Sequence, residues 1–360
     1  MEVVKTECLG RPLRVEATMA GWQRVFWGGD LVAERVAGYP SEGEFSHAFA
    51  LKAGEQVLEC RVNFELQWEP FQCTYRVTVA NQQINEGVRD FNALNHSTPS
   101  VELPAERNVG NYGLMALAFK LFKSAKAIKV LLAALSLAAY SWLFSFKFAF
   151  ALIVCLMVHE YGHLRAMQYF GMKTKGIYLI PFMGGLALSD EKINTRWQSI
   201  VISLMGPFFG LMLSLGLMVA YMTTGDIFFA GLSVFNALLN LFNLLPVVPL
   251  DGGHALKSIC FSVNSSLGLV VCVAGAALGV FISYYFQLSL LAFLLVVGNL
   301  EIFMEWKMRH LSTLLPLNRN ALVVSLLWYV TTAAGLVWVI VHFSTTGHSV
   351  LSLPLKVLQS

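Results

Sequence analysis

The stretch FAFALIVCLMVHEYGHLRA, residues 148–166, is an apolar run whose end carries His159, Glu160 and His163. A helix that crosses a bilayer needs about 20 mostly apolar residues, so this run predicts a spanning helix. An ionised side chain in the middle of the membrane costs about 2.5–3.5 kcal/mol on insertion scales, and less near the end of a span. Two histidines and a glutamate therefore call either for a binding partner or for contact with lipid headgroups.

His159 and His163 are separated by the spacing that places two side chains on one face of a helix. Two imidazoles so placed can bind one Zn²⁺ ion at about 2.0–2.1 Å each. Glu160 lies beside the first histidine and can take a proton from water whose pKa a zinc ion lowers. The short motif also occurs by chance in soluble proteins, so a second motif is needed to support a metal site.

The second motif is NLFNLLPVVPLDGGHALK, residues 240–257. Its acidic residue is Asp251, which follows two prolines that stop a helix and precedes two glycines that permit a tight turn. Because catalytic zinc needs three protein ligands and one open position, Asp251 is the candidate third ligand. Taken alone, the motif fits an ordinary Asp-Gly turn at the membrane surface. His254 either orients Asp251 or faces solvent.

Composition places these motifs in a membrane protein. The 360 residues are 56% hydrophobic and 13% charged, whereas soluble domains are about 25% charged. Seven of the 22 acidic residues lie after Gly110, so a polar head precedes an apolar body. A net charge of +3 does not favour a nucleic-acid partner. We predict a polytopic α-helical membrane protein with about seven spans, at 127–146, 148–169, 198–222, 227–247, 266–286, 288–304 and 321–342.

Basic residues predict the orientation of the body. With seven spans, every basic cluster falls on one side, which is the cytosolic side. This orientation predicts a cytosolic N-terminal head and an outside C-terminus, in a bacterial plasma membrane. Both motif helices run inward, so the histidines and Asp251 share a depth near the cytosolic face.

A further apolar stretch, GIYLIPFMGGLAL at 176–188, is too short to span and is interrupted by Pro181 and by Gly184 and Gly185. Irregular backbone at membrane depth survives where protein buries it or where it lines a wet cavity. The two glycines are either a simple loop break or part of a strand whose edge pairs with an unwound substrate.

The first 105 residues predict a soluble β-rich domain, either a small antiparallel sandwich or a barrel. Alternating polar and apolar residues occupy 57–66 and 73–84, with turns at 28–30, 39–41 and 80–81. Six aromatic residues are candidates for its core: Trp22, Trp27, Phe45, Phe49, Phe64 and Trp68.

We expect a linker and basic juxtamembrane segment at 106–126, the membrane domain at 127–345 with its core at 148–257, and a tail at 346–360. The six cysteines lack CxxC spacing and predict free thiols.

The paired motifs resemble the site-2 protease family of intramembrane zinc metallopeptidases. HExxH in one membrane helix is followed by the pattern Asn243, Pro246, Asp251 and Gly252 in a later one. The segments IPFMGGLAL and SLMGPFFG (203–210) are also similar to that family, and the resemblance covers about residues 148–257. It implies one Zn²⁺ held by His159, His163 and Asp251, with Glu160 as general base.

The same resemblance implies that Asn243 positions substrate and that a membrane-spanning protein is cut within or near the bilayer, often releasing a regulatory domain. The chain departs from familiar members, since it shows neither a PDZ-like insertion nor a CBS-like C-terminal domain. Two other functions stay open: a metal or ion transporter, because intramembrane carboxylates and histidines also mark ion pathways, and an inactive zinc-binding relative. The oligomeric state is not predicted.

Overall fold

The computed structural model describes residues 1–36, 40–53, 56–97, 125–143, 145–180, 184–189, 193–285 and 314–344. They fall into two compact units. The first contains the described residues up to 97, together with 193–198 and 314–318. The second contains the remaining described residues.

The first unit is built on eight antiparallel strands in two four-stranded sheets, ordered β1-β2-β3-β4 and β5-β6-β7-β8. A short helix, α1 (Phe91–Asn95), follows the last strand. The strands are β1 (Glu2–Cys8), β2 (Arg11–Ala17), β3 (Gln23–Trp27), β4 (Asp30–Arg35), β5 (Gly43–Ala53), β6 (Gln56–Trp68), β7 (Phe71–Val79) and β8 (Gln82–Asp90). The predicted β-rich head is confirmed.

The alternation in residues 57–66 places every second side chain inside: Cys60, Val62, Phe64 and Leu66 are buried. Both sheets contribute to one hydrophobic core. Of the six aromatic residues predicted for it, Phe45, Phe49, Phe64 and Trp68 are buried there and Trp27 packs against it. Trp22 is half-buried instead and lies under the Arg24 guanidinium, 4.2 Å from the ring centroid.

Two of the predicted turns lie between paired strands. Gly28 and Gly29 adopt positive φ between β3 and β4, and Ala80 and Asn81 do so between β7 and β8. The stretch 73–84, predicted as one alternating segment, is therefore divided at these two residues. Tyr39, the first residue of the third predicted turn at 39–41, lies outside the described residues. All six cysteines are free, as predicted.

A set of buried hydrogen bonds fastens residues 193–198 to the end of the β-rich part. The Gln198 side chain accepts from the backbone N–H groups of Asn194 and Thr195 at 2.6 and 3.0 Å, and donates to the Asn95 carbonyl at 2.7 Å. The Thr195 hydroxyl donates to Asn95 Oδ1 at 2.7 Å. Leu315 pairs with Thr195 and is buried in the same hydrophobic core. Sequence reasoning had placed this segment in the membrane domain.

The second unit holds a β-hairpin and seven helices among its described residues. The hairpin is β9 (Thr174–Ile180) and β10 (Gly184–Ser189). The helices are α2 (Ala125–Leu143), α3 (Phe146–Tyr169), α4 (Arg196–Thr224), α5 (Ile227–Asn243), α6 (Asp251–Val263), α7 (Ser265–Tyr285) and α8 (Arg319–Ser344). Helix α4 starts in the first unit and continues into the second.

Four helical segments are long and apolar enough to cross a membrane: α3, α4, residues Gly268–Tyr285 of α7, and α8. Lys129–Trp142 and Ile227–Asn243 are shorter apolar helices. The predicted span at 227–247 thus ends at Asn243, where the segment that leads to Asp251 begins. The predicted span at 288–304, most of the linker and the C-terminal tail lie outside the described residues. Several apolar helices are confirmed, while the count of seven stays a prediction.

Candidate metal centre

His159 and His163 lie one turn apart on α3, and both are buried, with 2% and 7% exposure. Their Nε2 atoms are 3.1 Å apart. The helical spacing therefore brings the two imidazoles to one point, as predicted from the motif.

Asp251 is the first residue of α6 and approaches the same point from another part of the chain. Its Oδ2 lies 3.2 Å from His159 Nε2 and 3.4 Å from His163 Nε2. Glycines allow the approach, since a Cβ on Gly252 would come within 2.0 Å of the Leu244 carbonyl oxygen and one on Gly253 within 2.3 Å of the Val247 carbonyl carbon. The two residues after Asp251 thus pack directly on the preceding turn.

The other nitrogen of each imidazole faces an oxygen. His159 Nδ1 is 2.7 Å from Asn240 Oδ1, and His163 Nδ1 is 2.6 Å from the Ile202 carbonyl oxygen. A carbonyl oxygen only accepts hydrogen bonds, so each Nδ1 carries the proton when the ring is neutral. Each neutral Nε2 then offers a lone pair toward Asp251. The site therefore gathers two nitrogen lone pairs and a carboxylate.

This set of donor atoms fits a zinc ion. Ligand atoms about 2.0–2.2 Å from a tetrahedral ion lie about 3.3 Å from one another, and the three distances here are 3.1, 3.2 and 3.4 Å. Within the described part of the chain, these three residues are the one cluster of three or more histidine, cysteine, aspartate and glutamate side chains suited to a metal. They could hold the ion and leave a fourth position open.

Glu160 is buried beside the donor cluster, with an Oε1 atom 3.9 Å from His159 Nε2. Strand β10 lies against it. A Cβ on Gly185 would come within 2.2 Å of Glu160 Cγ, and the backbone N–H of Ala187 faces the carboxylate. The carboxylate is therefore fixed next to, and not within, the set of three donors.

Helix α4 approaches α3 closely at the histidines. A Cβ on Gly162 would come within 2.3 Å of the Met205 carbonyl oxygen, and one on Gly206 within 2.3 Å of His163 Nε2. The absence of both side chains lets the Ile202 carbonyl reach His163. Gly206 belongs to SLMGPFFG, the segment that is similar to the family's Gly-Pro helix.

The remaining predicted site residues lie on the elements around this cluster. Gly184 and Gly185 begin β10, which pairs with β9 along 184–189, and Pro181 is outside the described residues. Asn243 is the last residue of α5 and is half-buried. His254 lies in the first turn of α6, also half-buried, with its backbone N–H bonded to the Leu250 carbonyl. The roles proposed for these four residues stay predictions.

Sequence reasoning missed two contributors, Asn240 and the Ile202 carbonyl. Asn240 lies within the second motif, one helical turn before Asn243. A polar residue at that spacing inside an apolar helix was the available signal. Nothing in the sequence marked the backbone carbonyl of Ile202, because any residue carries one.

An HExxH helix of membrane-spanning length, met by an aspartate from a later helix, is the arrangement expected of a zinc metallopeptidase site. Comparison with known proteins agrees with it: residues 147–229 match the model of peptidase family M50. The match confirms the resemblance to the site-2 protease family that the paired motifs predicted.

Similar proteins support the same class. The chain is 34% identical over 137 residues to a putative zinc metalloprotease of Synechocystis sp., covering 36% of each chain. It is 32% identical over 113 residues to a zinc metalloprotease of Methanocaldococcus jannaschii, covering 30% of this chain and 32% of that one. Stage IV sporulation protein FB of Bacillus subtilis is 24% identical over 180 residues, covering 46% of this chain and 60% of that one. The chain thus spans about a third of the length of the first two relatives.

Proposed function

We propose that this protein is an intramembrane zinc metalloprotease that cleaves a membrane-spanning protein within or near the bilayer and so releases a regulatory domain. One observation carries the proposal. On a helix of membrane-spanning length, two buried imidazoles meet the Asp251 carboxylate with Glu160 beside them. The family match and the relatives' names support the same reaction class.

His159, His163 and Asp251 would hold one Zn²⁺ ion. Bound zinc supplies Lewis-acid chemistry, since it polarises a carbonyl oxygen and lowers the pKa of water. Glu160 then accepts the proton of the attacking water and returns it to the leaving amine nitrogen. The backbone N–H of Ala187 would help to orient the carboxylate, and Gly185 lets the strand approach it.

Strand β10 would bind the substrate. Among the described residues it pairs with β9 alone, so its other edge is suited to strand addition. A transmembrane helix must unwind before its carbonyls become accessible, and an added strand would stabilise the unwound segment. Gly184 and Gly185 begin this strand, with Gly185 against Glu160, and Asn243 would position the substrate from the end of α5.

We further propose seven spans in a bacterial plasma membrane, with the N-terminal β-rich domain in the cytosol and the C-terminus outside. The distribution of lysine and arginine between the apolar runs supports this orientation. Cysteines introduced one at a time at Lys147 and Lys173, in a background without native cysteines, would test it with a membrane-impermeant thiol reagent. Labelling of position 147 from outside the cell, and not of position 173, is expected, and the reverse pattern would refute the orientation.

The activity is tested by comparing membrane-protein fragments from cells that express the wild type, Glu160→Gln or the control Asp226→Asn. Asp226 caps α5 with its side chain, and asparagine also caps helices. Fragments present with the wild type and the control, and missing with Glu160→Gln, are expected. Identical fragments in all three strains would show that Glu160 is not the base.

The metal assignment has its own measurement. Purified Asp251→Ala should lose zinc, whereas Glu160→Gln should keep it. Full occupancy in Asp251→Ala would remove that residue from the ligand set. Zinc flux into liposomes without any cleavage would favour the transporter, and bound zinc with neither flux nor cleavage would favour the inactive relative.

A further inference from the structure

Asn240 has no place in the ligand set, yet its side chain is fully buried on α5 and its Oδ1 lies 2.7 Å from His159 Nδ1. Its Nδ2 donates to the Asn236 carbonyl oxygen at 2.8 Å and to Asn236 Oδ1 at 3.1 Å. The residue therefore links one metal ligand to the interior of the helix bundle.

These contacts fix which way the Asn240 amide points. A backbone carbonyl can only accept, so the NH₂ group of Asn240 must face Asn236. Its oxygen must then face His159, and a neutral His159 must carry its proton on Nδ1. The lone pair of His159 is left on Nε2, the atom that faces Asp251 and His163.

The Asn236 amide is fixed in the same way. Its Nδ2 donates to the Gly210 carbonyl at 2.8 Å and lies 2.7 Å from Ser214 Oγ. The hydroxyls of Ser214 and Ser233 each donate to the other's backbone carbonyl, at 3.2 and 2.8 Å. Asn236, Ser214 and Ser233 are all fully buried. A continuous polar chain thus runs from α3 through α5 to α4.

The helices are shaped around this chain. A Cβ on Gly210 would come within 2.0 Å of Asn240 Oδ1, so α4 has no side chain where the amide lies. In an apolar bundle an unsatisfied polar group costs several kcal/mol, and water cannot readily replace a lost partner. The amides therefore have one low-energy arrangement, which is the arrangement that directs His159 Nε2 toward the other two ligands.

We infer that Asn240 is a positioning residue, which holds His159 in the tautomer and orientation that bind the metal. The hydrogen bonds of Asn240 with Asn236 hold the Asn240 amide in the orientation that this role requires. The inference rests on the metal site of the proposed function. Loss of such a partner of a ligating histidine weakens metal binding by about 10–100-fold.

The test uses purified full-length protein with zinc affinity measured by chelator competition, which needs no substrate. Asn240→Ala is expected to weaken zinc binding by about 10–100-fold. Asn240→Asp keeps an acceptor for His159 Nδ1–H but no longer donates to the Asn236 carbonyl, so its loss of affinity is expected to be smaller than that of Asn240→Ala. Ser325→Ala is the matched control, because it removes a buried hydroxyl that donates to Ala321 on α8; its affinity should equal that of the wild type.

The visible spectrum of the Co²⁺-substituted protein reports ligand geometry directly. It should change most in Asn240→Ala, less in Asn240→Asp, and not in the control. Unchanged affinity and spectrum in Asn240→Ala would overturn the inference, as would an equal loss in Asn240→Ala and Asn240→Asp.

Should Asn240→Ala fail to fold, Asn236→Ala keeps the His159 contact and frees only the far side of the amide. Asn236→Ala is expected to weaken zinc binding by less than the roughly 10–100-fold expected for Asn240→Ala. Unchanged zinc affinity in Asn236→Ala would overturn the role of the Asn236 hydrogen bonds. A wild type that binds no zinc would instead refute the metal site of the proposed function, and one that binds zinc without cleaving would refute only its proteolysis.

Discussion

Gly185 lies so close to Glu160 that a Cβ at this position would come within 2.2 Å of the glutamate Cγ. The strand that would present the substrate and the carboxylate that would move the proton are thus in direct contact. The backbone N–H of Ala187, two residues along the same strand, faces that carboxylate. The position of the strand and the position of the base depend on each other.

Gly185→Ala is expected to lower cleavage at least tenfold and to leave zinc affinity unchanged. The added methyl group must displace either Glu160 or β10, whereas the three proposed ligands lie on α3 and α6. Cleavage rate and zinc content, measured on one preparation, check both halves. Gly216→Ala is the control, because a Cβ there meets nothing within 4 Å; equal activity in the two variants would contradict the prediction.

Gly206→Ala, unlike Gly185→Ala, is expected to weaken zinc binding itself. A Cβ there would come within 2.3 Å of His163 Nε2, the atom that would ligate the ion. Chelator competition should show a large drop in affinity, and cleavage should fall with it. Gly231→Ala, on α5 with open space around the added carbon, is the control. Wild-type zinc affinity in Gly206→Ala would show that α4 can move away from the site.

The β-rich part is expected to lose stability in acid. His47 is buried, and its Nε2 lies 2.8 Å from Gln23 Oε1. Burial lowers the pKa of His47 below 6.5, and the positive charge of Arg35 lowers it further. The unfolded chain therefore binds the proton more readily than the folded one. The stability that His47 contributes is present above pH 6.5 and is lost as the pH falls through the lower folded pKa.

Hydrogen exchange in β5 and β6 of the full-length protein, corrected for its intrinsic pH dependence, measures this loss. His47→Gln retains a donor for Gln23 and removes the titrating ring, so its protection should vary less with pH. Parallel curves for the variant and the wild type would exclude His47 as the source.

Gln198→Leu is expected to loosen the attachment of residues 193–198 to the β-rich part. The change removes the acceptor of two buried backbone N–H groups and the donor to the Asn95 carbonyl. Each buried group left unsatisfied costs about 1–3 kcal/mol. Hydrogen exchange should rise in 91–97 and 193–198, and not in Gln67→Leu, where the replaced side chain is exposed. Unchanged exchange in Gln198→Leu would mean that water or another residue satisfies these groups.

The motif residues were predictable because their information is local. HExxH on an apolar run places two histidines on one helix face, with a carboxylate beside them, through helical periodicity alone. The β-rich head was predictable for the same reason, since alternation in 57–66 and turn residues at 28–30 encode strands and their ends. The end of α5 at Asn243, four residues before the predicted end, was missed because hydrophobicity continues into the segment that leads to Asp251.

Only the tertiary structure decided what surrounds those residues. The contacts of His159 with Asn240, of His163 with Ile202 and of Glu160 with Gly185 each join parts of the chain far apart in sequence. Residues 193–198 likewise belong to the same compact unit as the β-rich part, although about 100 residues separate them from it in sequence. The sequence by itself determined which side chains could carry the chemistry, because periodicity acts within one element. Their orientation was decided by the packing of separate elements, which depends on close approaches between distant backbones.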